Sequence, residues 1–333
     1  MDRYITLDYG SGGKKTSELI GKVFVPAFRN EALEMLGDGA VIPGGDMLVF
    51  STDSFVVSPC FFPGGDIGKL ALCGTVNDVS MSGGDPKFIS LSAIIEEGFP
   101  MEDLEKVVAS VKDAAQAAGV SIVTGDTKVV EKGKGDGIYL NTSGIGILRH
   151  RGLSPDRMQK GDKVIVSGTV GDHGTAVMLA RNPEMITSDI KSDCASLNHL
   201  AASLAYLGDE VRVMRDPTRG GLATTLCEFV EGSGLSIELE ENLVPVDKRV
   251  KSACGILGLD PLYAANEGKM IVVVSPEKAL EALEILKGQE LGKNAAVIGT
   301  VTDSHPGRVL IKTSFGGTRI AAKLSGAQLP RIC

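Results

Sequence analysis

The sequence predicts an α/β protein of two domains. Its 333 residues are typical of about two domains. Strand-like and helix-like segments alternate in both halves, and a polar, proline-containing segment over residues 149–161 separates the halves. We therefore expect a glycine-rich segment over 1–36, a first α/β domain over 37–150, a second over 151–323, and a mobile tail over 324–333.

The first half alternates strands with helices. Residues 101–118 carry apolar side chains at helical spacing, and Gly119 follows, as glycine does at many helix ends. The residues from Gly125 to Lys128 come next to the end of a predicted strand. The predicted elements are strands over 47–54, 86–95, 120–124 and 137–148, and helices over 66–81 and 101–118.

The second half repeats the alternation after the polar segment. A strand over 163–168 leads to the turn Gly171-Asp172-His173-Gly174, and a helix is expected from Thr175. The segment from Asp216 to Gly221 opens another helix, whose N-terminus could receive an anion. Further strands are predicted over 270–274 and near 295–301, 308–313 and 318–323.

Composition excludes several classes of function. The formal net charge is -8, Trp is absent and aromatic residues make up 5%, which argues against a nucleic-acid partner. No run of about 18 apolar residues is present, and the start lacks a secretory pattern, so we expect no membrane span and no export. The six cysteines have wide, irregular gaps and form no C-x-x-C, which favours a reducing cytoplasm over a disulfide framework.

Four aspartates suggest a magnesium–nucleotide site. Asp38, Asp53, Asp78 and Asp126 each lie beside Gly, Thr or Asn, at expected element ends, and Asn77 precedes the third. Carboxylate and phosphate oxygens are the usual ligands of Mg²⁺ in nucleotide sites. Any one of these aspartates could instead be a turn or cap residue, but four in one α/β segment favour the site.

Glycines near the start could add to such a site. Gly10, Gly12 and Gly13 precede Lys14 and Lys15, so backbone N–H groups and positive charge could face phosphates. Neither the P-loop pattern nor G-x-G-x-x-G is matched. A flexible loop without a ligand is the alternative.

The tail ends in a thiol. Cys333 is the last residue, and residues 325–333 could span about 25–30 Å when extended. One interpretation is an ordinary frayed end. The other is a carrier arm whose nucleophile holds a small group during catalysis. Prenylation is excluded because its signal places Cys four residues from the end.

Together these motifs resemble a known superfamily. Its members include aminoimidazole ribonucleotide synthetase, selenophosphate synthetase and thiamine-monophosphate kinase. The second half and the tail resemble one branch, the HypE family of hydrogenase maturation proteins. The first-half motifs are Asp-Gly-Ala-Val (38–41), Thr-Asp-Ser (52–54), Asn-Asp (77–78) and Gly-Asp-Thr (125–127). The second-half motifs are Gly-Asp-His-Gly (171–174), Asp-Pro-Thr-Arg-Gly-Gly (216–221), Ala-Asn-Glu-Gly (265–268) and Pro-Arg-Ile-Cys (330–333). Tyr9 departs from the His expected before the glycines.

The resemblance implies a fold and an activity. The fold would be the two-domain aminoimidazole ribonucleotide synthetase-like fold, whose N-terminal ATP-binding domain forms a barrel in a homodimer. The activity would be ATP- and Mg²⁺-dependent dehydration of an S-carbamoyl group on Cys333 to a thiocyanate, which supplies cyanide to the iron of [NiFe] hydrogenase. A HypF-type carbamoyltransferase would load the thiol, and a HypC–HypD-type complex would take the cyanide.

The resemblance also suggests roles for single residues. Glu267 would act as the base, and Lys128 would stabilise charge on the oxygen or phosphate. Arg331, Asn266 and His173 would position the tail. The alternatives are a surface carboxylate at 267 and a solvated lysine at 128.

Other functions stay open at this stage. A selenophosphate synthetase is disfavoured because no Cys precedes position 60. A thiamine-monophosphate kinase would not need a terminal Cys. A thiol carrier without ATP hydrolysis is a third possibility.

Overall fold

A computed structural model describes residues 2–10, 14–34, 42–184 and 188–323. The helices, numbered along the chain, are α1 Lys14–Leu19, α2 Val25–Phe28, α3 Glu31–Glu34, α4 Ile67–Met81, α5 Met101–Ala118, α6 Asp172–Arg181, α7 Asn198–Ser203, α8 Gly221–Val230, α9 Lys248–Leu257 and α10 Ala279–Lys287. The strands are β1 Leu48–Phe55, β2 Phe61–Phe62, β3 Gly65–Asp66, β4 Gly84–Glu96, β5 Ser121–Val130, β6 Ile138–Leu148, β7 Lys163–Val166, β8 Val211–Arg215, β9 Ser236–Glu240, β10 Ile271–Val274, β11 Ala296–Thr302, β12 Val309–Lys312 and β13 Thr318–Ala321. No helix in these ranges is long and apolar enough to cross a bilayer.

The first domain is a four-stranded sheet with helices on one face. Its strand order is β1-β6-β4-β5, in which β4 and β5 are parallel and the other neighbours antiparallel. Helix α4 lies across the sheet, and the hydroxyl of Thr75 contacts that of Thr142 on β6 at 2.6 Å. Gly144 makes this approach possible, because a Cβ there would lie 2.7 Å from the Thr75 side chain.

The second domain is a seven-stranded sheet of order β13-β12-β9-β11-β7-β10-β8. Its centre is covered on both faces, by α8 on one side and by α7 and α10 on the other. The four residues of β10 are accordingly all buried. A run of four branched apolar residues with no polar alternation is what such a strand requires.

Several local predictions are confirmed, and others fail where pairing extends an element. The helix over 101–118 has these bounds, and Gly119 closes it with a left-handed backbone. Strand β5 runs through Asp126 and Lys128 to Val130, because β4 pairs with it over that whole length. Helix α6 begins at Asp172 instead of Thr175, directly after Gly171 with φ of 87°.

The prediction that the aspartates lie at element ends is correct for two of them and wrong for the third. Asp53 lies two residues before the end of β1 and Asp78 three residues before the end of α4, whereas Asp126 lies in the middle of β5. The prediction for Asp126 was wrong because the neighbouring Gly125 and Thr127 suggested a turn. In the fold both are paired with β4.

Helix α4 should depend on its cap. The Asp66 carboxylate accepts hydrogen bonds from the backbone N–H groups of Gly68 at 2.7 Å and Lys69 at 3.1 Å. We expect Asp66→Ala to lower the free energy of unfolding by about 1 kcal/mol, since two N–H groups lose their acceptor. Urea unfolding followed by circular dichroism measures this. Asp66→Asn keeps the acceptor and should lose little, so equal losses in both variants would contradict the cap.

Candidate active site between the two domains

The last turns of α4 carry the first carboxylate of the site. Asp78 is half-buried and accepts a hydrogen bond from the Ser51 hydroxyl on β1 at 2.9 Å. Burial raises the pKa of Asp78, and the charge of Asp53 raises it further. Asp53 itself is exposed, so it forms the solvent side of this pair.

A second carboxylate comes from the other domain. Asp216 lies between β8 and α8 and is 6% exposed. Burial, reinforced by the charges of Asp78 and Asp53, raises the pKa of Asp216 to about 7. The sequence predicted that the helix N-terminus after this segment could receive an anion, and Asp216 itself was not predicted as a site residue, although it begins the motif Asp-Pro-Thr-Arg-Gly-Gly. The negative charge around Asp216 favours binding of a cation. An anion such as a phosphate group would bind there only together with a cation.

Glu267 completes the group. It is 3% exposed, so it is not the surface carboxylate that was the alternative. Burial raises the pKa of Glu267 well above its ordinary value, and Asp216, Asp193 and Asp53 add to the effect. Two carboxylates from each domain therefore lie near one another. We call these four residues the carboxylate cluster: Asp53, Asp78, Asp216 and Glu267.

The loop that carries Glu267 is held on both sides of its peptide. The Glu267 N–H donates to an Asp193 oxygen at 3.0 Å. The Glu267 carbonyl accepts from the Asn77 amide at 3.3 Å and from the Ala195 N–H at 3.3 Å. Asn77 also accepts from the Leu197 N–H at 2.7 Å. Asn77, predicted to bind nucleotide, therefore joins α4 to the second domain through these backbone contacts, and its predicted role stays a prediction.

The two described residues predicted to position the tail are buried. Asn266 accepts a hydrogen bond from the Gly171 N–H at 2.7 Å and donates to the Pro217 carbonyl at 3.1 Å. His173 is fully buried, and its Nδ1 lies 2.8 Å from the Ser192 hydroxyl. Both side chains fix the loops around Glu267. Their contact with the tail stays a prediction.

Asp126 and Lys128 lie elsewhere in this chain. They form an exposed ion pair at 2.9 Å, whose hydrogen bond lowers the pKa of Asp126. Asp53 belongs to the row of side chains that includes Thr142 and faces α4, whereas Asp126 belongs to the neighbouring row, which faces away. Three strand spacings, roughly 14 Å, also separate β5 from β1. One chain alone does not bring Asp126 and Lys128 to the carboxylate cluster.

For the remaining predicted residues, the structure gives no contact with the carboxylate cluster. Gly10 closes the short helical turn Leu7–Gly10. Five others lie outside the described residues: Gly12, Gly13, Asp38, Arg331 and Cys333.

The carboxylate cluster suits Mg²⁺ shared with a phosphate chain. Among the described residues, no three His, Cys, Asp or Glu side chains form a ready-made metal cage. Mg²⁺ is commonly bound by one or two carboxylates together with substrate phosphates and waters. Asp53, Asp78 and Asp216 supply hard oxygen ligands, and burial followed by the charges of neighbouring carboxylates raises the pKa values of Asp78 and Asp216, which a bound cation would lower.

The raised pKa of Asp216 should appear in the pH dependence of stability. In the unfolded chain this carboxyl loses its proton near pH 4, but in the folded protein only near pH 7. The folded state binds more protons between these values, so the contribution of Asp216 to stability falls as pH rises through that window. We expect Asp216→Asn to raise Tm, relative to the unaltered protein, more at pH 8 than at pH 5.

The measurement is a pair of thermal scans in EDTA. Asp113→Asn, at an exposed position of α5, is the matched control. A difference in Tm between Asp216→Asn and the unaltered protein that does not change with pH would show that Asp216 is an ordinary carboxyl.

Two family profiles match the chain. The N-terminal domain of AIR synthase related proteins matches residues 36–148, and the corresponding C-terminal domain matches residues 159–312. The crystal structures of thiamine-monophosphate kinase share the fold, with a TM-score of 0.63 at 19% identity for the protein from Aquifex aeolicus.

Curated relatives are similar over almost their whole length. The carbamoyl dehydratase HypE of Cupriavidus necator is 46% identical, over 99% of this chain and 95% of its own. The HypE of Escherichia coli K12 is 42% identical, over 99% of both chains. A crystal structure of HypE in complex with ATP superimposes with a TM-score of 0.95, at 46% identity, over 98% of this chain and 99% of that one.

A structure of a HypE–HypF complex is also similar, with a TM-score of 0.79 and 52% identity over 91% of this chain and 99% of the matched chain. These similarities cover both domains, and Asp216 and Glu267 lie within the range that the second profile matches. The two-domain AIR synthase-like fold predicted from the motifs is confirmed, and the chain belongs to the carbamoyl dehydratase HypE family of enzymes.

Proposed function

We propose that the protein uses ATP to dehydrate an S-carbamoyl group on Cys333 to a thiocyanate. The observation that carries this proposal is Glu267, a carboxyl buried beside Asp216 where the two domains meet. A relative that is 46% identical is named carbamoyl dehydratase, and a similar structure, also 46% identical, is a complex with ATP. An ATP site beside a buried base is what this dehydration needs.

The reaction has two chemical steps. The carbamoyl oxygen attacks the γ-phosphorus of ATP, ADP leaves, and the nitrogen gives up one proton. The C–O bond then breaks with departure of phosphate, the nitrogen gives up its second proton, and S–C≡N remains. Phosphorylation makes an otherwise poor leaving oxygen expendable, and both steps need a group that accepts protons from nitrogen.

Glu267 is suited to accept those protons. Its backbone is fixed from both sides, so its carboxyl has a defined position. Desolvation raises the pKa of Glu267 and makes the carboxylate a stronger base than an exposed one. Burial also keeps bulk water from the activated carbon, where water would regenerate the carbamoyl group.

The aspartates of the cluster would hold Mg²⁺. Asp53, Asp78 and Asp216 are the described candidates, and Asp38 is the fourth predicted ligand. When bound, Mg²⁺ neutralises phosphate charge during phosphoryl transfer. The glycines 10, 12 and 13 and Asn77 remain predicted nucleotide contacts.

The root of the tail lies close to the Glu267 loop. The Ala322 N–H donates to the hydroxyl of Tyr263 at 3.1 Å, and Tyr263 is four residues before Glu267. Ten residues reach at most about 33–36 Å, which allows Cys333 to visit both the cluster and a partner enzyme. We assign Arg331 to guide the tail inward by pairing with the acidic cluster, with Asn266 and His173 holding the loops it enters.

The partners follow from the carrier role. A HypF-type carbamoyltransferase would load Cys333, in line with the HypE–HypF complex among the similar structures. A HypC–HypD-type complex that carries iron would receive the cyanide. We place these exchanges in the cytoplasm, where the thiol stays reduced.

Mass spectrometry of the intact protein tests the proposed reaction. With the carbamoyl donor system, Cys333 should gain about 43 Da, and addition of Mg-ATP should then remove about 18 Da, as expected for carbamoylation and dehydration of a covalent thiol adduct. Cys333→Ser should show neither change, and Glu267→Gln should show only the first. Cys227→Ser, at a half-buried cysteine, is the control. An 18 Da loss that survives in Glu267→Gln would remove Glu267 from the mechanism.

A homodimer is the second part of the proposal. The face of the first sheet that points away from α4 carries exposed Phe50 and Ile94, and Phe50 is 66% exposed. Such a face favours burial against an equal surface. Strands β1 and β5 are the edges of this sheet. Pairing β5 of one copy beside β1 of the other would bring Asp126 and Lys128 next to the partner's β1, and the long Lys128 side chain would reach past the edge of the sheet to stabilise phosphate charge.

Analytical ultracentrifugation tests the dimer. We expect Phe50→Asp to sediment as a monomer, because a charge would be buried in the interface. Leu280→Asp is the matched control, since Leu280 is 74% exposed on α10, far from this face in the fold. If Phe50→Asp stays a dimer, or both variants dissociate, the sheet face is not the interface.

A further inference from the structure

The segment from Ser188 to Leu197 links the two domains. The Ser192 N–H donates to the carbonyl of Pro63 in the first domain at 2.7 Å, while the Ser192 hydroxyl contacts His173 in the second. Asp193 follows, and its side chain is 2% exposed. This buried carboxylate lies beside Glu267.

Asp193 holds both residues that flank Gly268. One carboxylate oxygen accepts the Glu267 N–H at 3.0 Å, and the other lies 3.3 Å from the Lys269 ammonium group. The contact is close, because a Cβ on Gly268 would lie 1.8 Å from the Asp193 carbonyl oxygen. The Glu267 loop and the Asp193 segment are therefore packed directly against each other.

The position of Asp193 is electrostatically unfavourable without its partner. A buried carboxylate next to Glu267 and Asp216 adds repulsion, and only a nearby cation offsets it. Lys269 is that cation, and its side chain is itself largely buried. A buried Asp193–Lys269 ion pair beside other carboxylates has a reason if the protein needs the Asp193 oxygen as the acceptor for the Glu267 N–H.

We propose that Asp193 is a positioning residue for Glu267, with Lys269 as the counter-charge that makes it tolerable. The inference rests on the proposed function of Glu267 as the base. Asp193 acts through its oxygen, which fixes the peptide from which the Glu267 side chain projects. Small displacements of a base reduce the rate of proton transfer strongly, because productive geometry is narrow.

A matched pair of double variants isolates the acceptor from the charge. Asp193→Asn with Lys269→Met and Asp193→Ala with Lys269→Met both remove the ion pair, and only the first keeps an oxygen for the Glu267 N–H. We expect the alanine pair to have a kcat for dehydration about 100-fold lower than the asparagine pair. The KM for ATP should agree within about twofold in both.

Equal kcat values in the two folded pairs would overturn the proposal, as would a change confined to KM. Tm values establish folding. If the alanine pair is unfolded at the assay temperature, Asp193→Ser with Lys269→Met replaces it, because the serine hydroxyl is one bond shorter than the carboxylate oxygen. Hydrogen exchange of the Glu267 amide should be faster in the alanine or serine pair than in the asparagine pair, and equal exchange would also overturn the proposal.

A double-mutant cycle identifies the route of the effect. In a Glu267→Gln background, only a slow residual dehydration is expected, measured in single turnovers much longer than the assay above. That residual rate should fall little further when Asp193→Ala is added, because a positioning residue has nothing left to position. A further 100-fold loss there would mean that Asp193 acts independently of Glu267. Absence of dehydration in the unaltered protein would instead contradict the proposed function, so the two failures are distinguishable.

Discussion

Repulsion among carboxylates at the domain boundary is the constraint around which this site is built. Asp78 and Asp53 come from the first domain, and Asp216 and Glu267 from the second. Water is largely excluded from the last two, so each charge raises the cost of ionising the others. Burial first, and the charges of Asp78 and Asp53 after it, raise the pKa of Asp216 to about 7. Binding of a cation lowers the cost of ionising these carboxylates, so their protonation depends on whether a cation is bound.

The fold keeps these groups together by backbone contacts. The Asn77 amide binds the carbonyls of Ala195 and Glu267 and the N–H of Leu197, so α4 is attached directly to the loops of the second domain. Asn266 in turn fixes Gly171 and Pro217. These hydrogen bonds fix the backbone of both domains around the site, and the fixed backbone keeps the like-charged side chains close together.

Sequence patterns predicted what depends on near neighbours. Apolar spacing gave the helix over 101–118, and the motif around Glu267 indicated a loop before a strand. The end of β5 could not be predicted, because its last residues are held by pairing with β4. The same limit explains Asp126: a spacing of 73 residues from Asp53 says nothing about which face of a sheet each occupies.

Burial is the other property that the sequence did not show. Asp216 was visible in a motif, but neither its burial nor its proximity to Asp78 could be predicted from that motif. The 188–197 segment has no periodicity that marks it, yet it supplies the acceptor for the Glu267 peptide. Both facts arise from contacts between the domains, which no local pattern contains.

Proton release on nucleotide binding tests the central claim most directly. Calorimetric titration of Mg-ATP into the uncarbamoylated protein at pH 6.5, in buffers of different ionisation enthalpy, counts the protons released. Because Asp216 keeps much of its proton at that pH, the account predicts release of on the order of one proton per site, and less from Asp216→Asn. Binding without proton release, or with equal release from the variant, would contradict it.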